Sequence, residues 1–159
     1  ENGYSAVDKR RTELIHSSIY DAAGNPIMPN QVQGYFTSKF VDPDFIGERT
    51  SARPYLIRFS DIALVFAEAA GPVEGLPILN KIRERAGLPP LPEGLDVAVY
   101  RKEVIKERAL ELAFEGNRLY DLRRTASVTL TDMKAFGLSE METAFFPIPQ
   151  REIDLNPNL

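Results

Sequence analysis

Hydrophobic and polar positions follow two rhythms along this chain. Up to residue 53, short aromatic and β-branched runs are separated by turn-forming residues; from Pro54 onward the apolar residues return at helical spacing. "ELIHSSIY" (13–20) and "GYFTSKFV" (34–41) predict two strands of a hairpin. Between them "DAAGNPIMPNQVQ" carries Gly24, Pro26 and Pro29, which forbid regular structure and predict a long loop. His16 alternates with apolar neighbours and reads as a strand surface residue, while residues 42–54 read as an irregular connection.

"PYLIRFSDIALVFAEAAG" is apolar on most sides, which predicts a buried helix that starts near Pro54 and stops at Gly71-Pro72. "LPILNKIRERAGLPP" follows Gly75 and predicts a second helix, ended by Gly87 and then Pro89-Pro90. The short connection implies an antiparallel helix pair over residues 54–88, the ~34-residue length of one tetratricopeptide-type unit. A single unit leaves apolar surface uncovered, here expected through Leu56, Phe59, Phe66 or Ile82, and self-association follows from such a face. The longest helical pattern runs from Val97 to Arg124. Pro147 and Pro149 make the tail after it extended. The expected architecture is mainly α in one domain, residues 1–159: hairpin and loops (1–53), a tetratricopeptide-like antiparallel pair (54–88), a long helix (97–124), and a loop with an extended Pro-rich tail (125–159).

Composition narrows the function. The 159 residues include 43% hydrophobic positions, enough for a core, and no cysteine, which excludes disulfides and thiol chemistry. A single histidine makes a His-based metal site or catalytic triad untenable, and neither a metal nor a cofactor is expected. The net charge of −4 argues against nucleic acid, and "KRR" at 9–11 reads as a solvated or salt-bridged turn. No apolar run is long enough for a membrane span. The chain starts "ENGYS" without Met, as a processed product or fragment would.

Candidate chemistry concentrates in "KERALELAFEGNRLYDLRR" (106–124). On a continuous helix, Arg108, Glu111, Glu115 and Arg118 fall within about 80° of one another. Arg108–Glu111 and Glu115–Arg118 can then pair locally, and Arg83 or Arg85 of the preceding helix can relieve the Glu111–Glu115 repulsion. Arg58, Asp61 and Glu68 repeat the scheme on the first helix. Paired carboxylates also suggest glycosidic acid/base catalysis, but adjacent turns of one helix leave no gap for a sugar. Neighbouring arginines would moreover keep both groups ionised. The residue pattern therefore favours a partly buried salt-bridge network that docks helices, with no catalytic residue.

The segments "LIRFSDIALVFAEA" (56–69), "LNKIRERAGL" (79–88), "ERALELAFEGNRLYDLRR" (107–124) and "FFPIPQREIDLNPNL" (145–159) stand in the order seen in the SusD/RagB family. "SAVDKRR" and "GYFTSKFVDPD" upstream strengthen the resemblance, which is to the C-terminal half of these outer-membrane nutrient-binding lipoproteins of Bacteroidota. It implies a helical, tetratricopeptide-like fold and a non-enzymatic role. The protein would bind a glycan such as starch, or another nutrient, at the cell surface and deliver it to a SusC-like TonB-dependent transporter. The family's N-terminal half, with its lipidated cysteine, has no counterpart here, so the lipid anchor is expected to lie outside this sequence.

The shared motifs read as scaffold, and motif matching assigns no ligand contact. Sugar chemistry points to exposed aromatics beside planar polar side chains, which the Pro/Gly-rich loop offers as Tyr20, Asn25, Asn30, Gln33, Tyr35 and Phe36. Hairpin packing is the plainer role for the same aromatics. The alternative function is a tetratricopeptide-like protein-interaction module without carbohydrate binding.

Overall fold

The computed structural model describes residues 3–17, 23, 35–42, 44, 46, 49–125 and 148–156. They fall into two compact units, 1–117 and 118–159. The first contains α1 (Lys9–Glu13), β1 (Ile15–His16), β2 (Phe36–Thr37), α2 (Phe59–Glu74), α3 (Leu76–Arg85) and α4 (Val97–Glu111). The second contains α5 (Arg118–Thr125) and α6 (Gln150–Leu155). The chain is mainly helical, as its periodicity implies.

The apolar rows of α2, α3 and α4 make the core. Ala63, Leu64 and Ala67 of α2 meet Leu76, Leu79 and Ile82 of α3 and Tyr100 and Val104 of α4, with Ile78, Leu91 and Leu95 packed around them. Fully burying one such large side chain contributes about 1.5–3 kcal/mol. Tyr100 is buried to its hydroxyl, which donates to the Ala67 carbonyl at 2.9 Å. Gly75 permits this approach, because a Cβ there would lie 2.3 Å from the Ala67 carbonyl and 2.5 Å from the Tyr100 hydroxyl.

Helix ends follow their punctuation at several points. α2 breaks at Gly71 (φ 74°), where Gly-Pro predicts a stop. α3 ends in a Schellman arrangement: Gly87 is left-handed (φ 77°), and the Leu88 N–H donates to the Arg83 carbonyl at 2.8 Å. Asp96 caps α4 by accepting from the Ala98 N–H at 2.8 Å. The 88–96 connector is pinned by Asn80, which exchanges hydrogen bonds of 3.1 and 2.8 Å with the Leu91 backbone.

Five expectations change. The first helix starts at Phe59 rather than Pro54, because Arg58 is extended (φ −137°, ψ 161°) and sends its side chain to α4. That helix is not buried all round: Phe59, Ile62, Val65 and Phe66 are exposed on its outer face, as Leu56 is before it. Ile82, expected on the uncovered face, is buried in the core instead. The helix expected over 97–124 stops at Glu111, where Phe114 (φ 67°) and Gly116 (φ 81°) are left-handed and turn the chain before α5. In the tail, Pro149 keeps a non-helical backbone (φ −54°, ψ 136°), but 150–155 form α6, which a 2.9 Å Gln150–Asp154 bond supports.

The hairpin exists in minimal form. β1 and β2 are antiparallel, with Ile15 opposite Thr37 and His16 opposite Phe36. The His16 and Phe36 rings lie 5.8 Å apart.

Candidate functional site

The charged stretch becomes a three-dimensional seam rather than a helical stripe. Glu107 and Glu111 sit one turn apart at the end of α4, and both are buried. The left-handed turn after α4 then carries Glu115 back toward Arg58 and Lys39. The local pairs expected on a continuous helix do not represent the partners found. Arg108 pairs with Asp61 of α2 at 2.8 Å, and Arg118 belongs to the second unit.

Glu111 is the hub. Its Oε2 accepts from Arg10 Nη1 at 3.0 Å, and its Oε1 accepts from Arg58 Nη1 at 2.9 Å and from Arg85 Nη2. Arg58 grips Glu115 with both edges of its guanidinium, Nε to Oε2 at 2.8 Å and Nη2 to Oε1 at 2.9 Å. Lys39 Nζ adds a 2.6 Å bond to Glu115 Oε1. Main-chain carbonyls at the α4 C-terminus are capped as well. The Glu111 carbonyl accepts from Lys39 at 2.7 Å and from Arg58 Nη2 at 2.7 Å, and the Ala113 carbonyl accepts from Lys39 at 3.0 Å. Cations at a helix C-terminus satisfy its free carbonyls and complement its dipole.

Behind Glu111 lies a second layer. Asp8 caps α1 through the Arg10 N–H at 3.0 Å and holds the Arg10 guanidinium by bonds of 2.9 and 2.8 Å. Arg10 also sits 2.8 Å from Glu107 Oε1, an ion pair without hydrogen-bond alignment, since that buried oxygen accepts no hydrogen bond. Arg83 donates to Glu107 Oε2 at 3.2 Å and, through Nε and Nη2, to the Pro89 carbonyl at 3.1 and 2.9 Å. Tyr4 closes this side, donating to the Leu110 carbonyl at 2.7 Å with its ring beneath Arg10. Burial pushes the Tyr4 phenol up to about 12.

The electrostatics decide what the carboxylates can do. Burial alone would raise Glu111, but the hydrogen bonds and charges of Arg85 and Arg58 hold it down at about 2. Glu115 is likewise lowered against its burial by Arg58 and Lys39. Burial lowers Lys39, opposed by its bond to Glu115. Both carboxylates are thus clamped anions without a proton to give at neutral pH, and their oxygens are occupied by arginine and lysine. This arrangement suits docking of α1, α2, α3 and α4, not general acid catalysis.

Of the network expected from sequence, Arg58, Glu111 and Glu115 come together directly, while Asp61–Arg108 and Arg83–Glu107 form adjoining pairs. Glu68 stands apart with Arg101, at 3.1 Å. Sequence reasoning missed Asp8, Lys39 and Glu107; Arg10 of "KRR" is salt-bridged, one of the two roles expected of it, but from a helix, α1, and buried rather than from a solvated turn. The spacing of Asp8 and Arg10 in "DKRR" is a usable local signal for a cap with its own ion pair. Nothing local signals that Arg10 reaches a carboxylate 101 positions away.

A cleft of about 420 Å³ opens over the seam, lined by α1, Lys39, Tyr55, Arg58, Arg85 and the Glu111–Glu115 pair. Tyr55 is half exposed, its ring 6.1 Å from that of Phe40. Among the loop candidates, Tyr35 is exposed and Phe36 sits in β2 against His16. Tyr20, Asn25, Asn30 and Gln33 lie outside the described residues.

Comparison with known proteins places the whole arrangement. The sequence pattern of the SusD family matches residues 3–144. SusD-like protein P2 of Formosa agariphila is 31% identical over an alignment of 134 residues that covers 71% of this chain and 26% of that protein. SusD-like protein P25 of the same organism is 32% identical over an alignment of 124 residues that covers 65% of this chain and 22% of that protein. The chain therefore spans about a quarter of the length of these relatives. Among solved structures, a SusD superfamily protein from Parabacteroides distasonis superposes with a TM-score of 0.75 at 24% identity, over 99% of this chain and 39% of that one. A SusD homolog from Bacteroides thetaiotaomicron gives 0.62 at 25% identity, over 96% and 40%.

Proposed function

The chain belongs to the SusD family, and on that premise we propose that it is part of a non-enzymatic, cell-surface nutrient-binding protein. Its ligand is an oligosaccharide or polysaccharide fragment, and its partner is a SusC-like TonB-dependent transporter to which the ligand is delivered. The protein is held at the outer membrane by an N-terminal lipid. The observation that carries this reading is the family match over residues 3–144. The clamped state of Glu111 and Glu115 supports the absence of catalysis, since neither can act as proton donor. The hairpin loop, with Tyr20, Asn25, Asn30, Gln33, Tyr35 and Phe36, is a ligand-contacting region in this proposal. Exposed Tyr35 is its most accessible described member.

Calorimetry against a panel of polysaccharides, oligosaccharides and glycopeptides tests the reading. Saturable binding of at least one glycan, without release of shorter products, is expected. Silence across the panel, or turnover lost on Glu111→Gln, contradicts it. A second reading, a tetratricopeptide-like protein-interaction module, is favoured by the outer face of α2. There Phe59, Ile62 and Phe66 are 79%, 54% and 50% exposed, with Leu56, just before the helix, 93% exposed, an apolar surface suited to another helix. Light scattering showing concentration-dependent self-association, lost on Phe59→Glu, would support it.

A further inference from the structure

The cleft above the ionic seam combines features that the seam itself does not need. Arg10, which also reaches Glu111, is matched by Asp8; Lys39, Arg58 and Arg85 then face two carboxylates, Glu111 and Glu115, so one positive charge is in excess at the cleft floor. The excess is most accessible at Arg85, whose side chain is 59% exposed although it reaches Glu111. Its other hydrogen bonds among the described residues are two long ones of 3.5 Å to the Ser60 hydroxyl. Lys9 is exposed on the same rim and makes no ion pair among the described residues. The 2.9 Å bond from the Lys9 N–H to the Ala86 carbonyl fixes α1 beside the end of α3, so Lys9 and Arg85 flank one opening. Across the cleft Tyr55 presents a half-exposed ring braced by Phe40. Glu13 on the α1 rim is the opposing charge.

An exposed ring beside a guanidinium and an ammonium is complementary to one ligand chemistry: a sugar whose apolar face lies on the aromatic and whose carboxylate meets the cations. We propose that this cleft binds a uronic acid unit of an acidic oligosaccharide, with Arg85 and Lys9 holding the carboxylate and Tyr55 the ring face. Arg58 and Lys39 remain committed to Glu111 and Glu115 and keep the floor fixed. The volume of about 420 Å³ accommodates a small sugar. This inference rests on the glycan-binding reading and sharpens it to an anionic class.

The test is calorimetric titration of this chain with tetragalacturonate and with its fully methyl-esterified form, which keeps the sugar and removes the charge. The acid should bind at least about tenfold more tightly than the ester, the worth of one charge-assisted hydrogen bond. Its affinity should fall as salt rises. Arg85→Ala should abolish the preference for the acid, and Tyr55→Ala should weaken both ligands. Tyr55 is half exposed, and Glu111 keeps Arg10 and Arg58 when Arg85 is lost, so the variants should fold, which circular dichroism checks. Equal affinity for acid and ester, an unchanged preference in Arg85→Ala, or no binding of the acid overturns the proposal. Saturable binding of a neutral maltooligosaccharide without any binding of the acid would overturn it while leaving the broader glycan-binding reading standing.

Discussion

The two halves of α4 do different work. Its first half gives Tyr100 and Val104 to an apolar core shared with α2 and α3. Its second half gives Glu107, Arg108 and Glu111 to a buried ionic seam that gathers α1, Lys39, the start of α2 and the end of α3. The core is held by a non-directional force proportional to buried apolar area, so it tolerates sliding and repacking. The seam is directional: Arg58 must meet Glu111 and Glu115 together, and Arg10 must meet Asp8, Glu107 and Glu111. Buried ion pairs offset their own desolvation only partly, so the seam's contribution lies in fixing one docking geometry. The comparison teaches that the core supplies cohesion and the seam supplies register.

Breaking the seam at its hub should have the largest effect. Glu111→Ala leaves Arg10 and Arg85 without that acceptor and should cost about 3–5 kcal/mol, read from urea denaturation at pH 7. Leu79→Ala, at a fully buried core position, should cost about 3 kcal/mol and, unlike the seam variant, should do so equally at pH 7 and pH 3. The smallest effect belongs to Arg101→Ala. Its 3.1 Å pair with Glu68 is ion-paired like the seam but solvent-exposed on the arginine side, so the loss should stay under about 1 kcal/mol. A loss as large as that of Glu111→Ala would show that burial is not what distinguishes the seam.

How far each region was legible follows from the same distinction. The core could be read because periodicity and Gly/Pro punctuation are local: the Gly71 break, the Gly87 cap and the α4 start at Val97 all stand where sequence places them. The seam was legible in its residue types but not in its pairings. A helix continued through Phe114 and Gly116 puts Glu111 and Glu115 on one stripe, and only the left-handed turn there reassigns their partners. Arg10 and Lys39 come from segments whose local pattern shows a turn and a hairpin, and no periodicity encodes their reach to α4. An all-round apolar α2 says nothing by itself about which side is covered; the single helix pair implies an uncovered face, which stands at Leu56, Phe59 and Phe66 but not at Ile82.

The most direct measurement of the central claim, that Glu111 is a clamped structural anion, is folding stability against pH for the chain and for Glu111→Gln. A carboxyl held at about 2 in the folded state, against 4.5 unfolded, stabilises the fold fully above pH about 4.5 and loses that contribution as pH falls toward 2. The chain should therefore lose on the order of 3 kcal/mol from this group between pH 5 and pH 2, and Glu111→Gln should lack that component. Parallel stability curves for the two proteins over this range would contradict it.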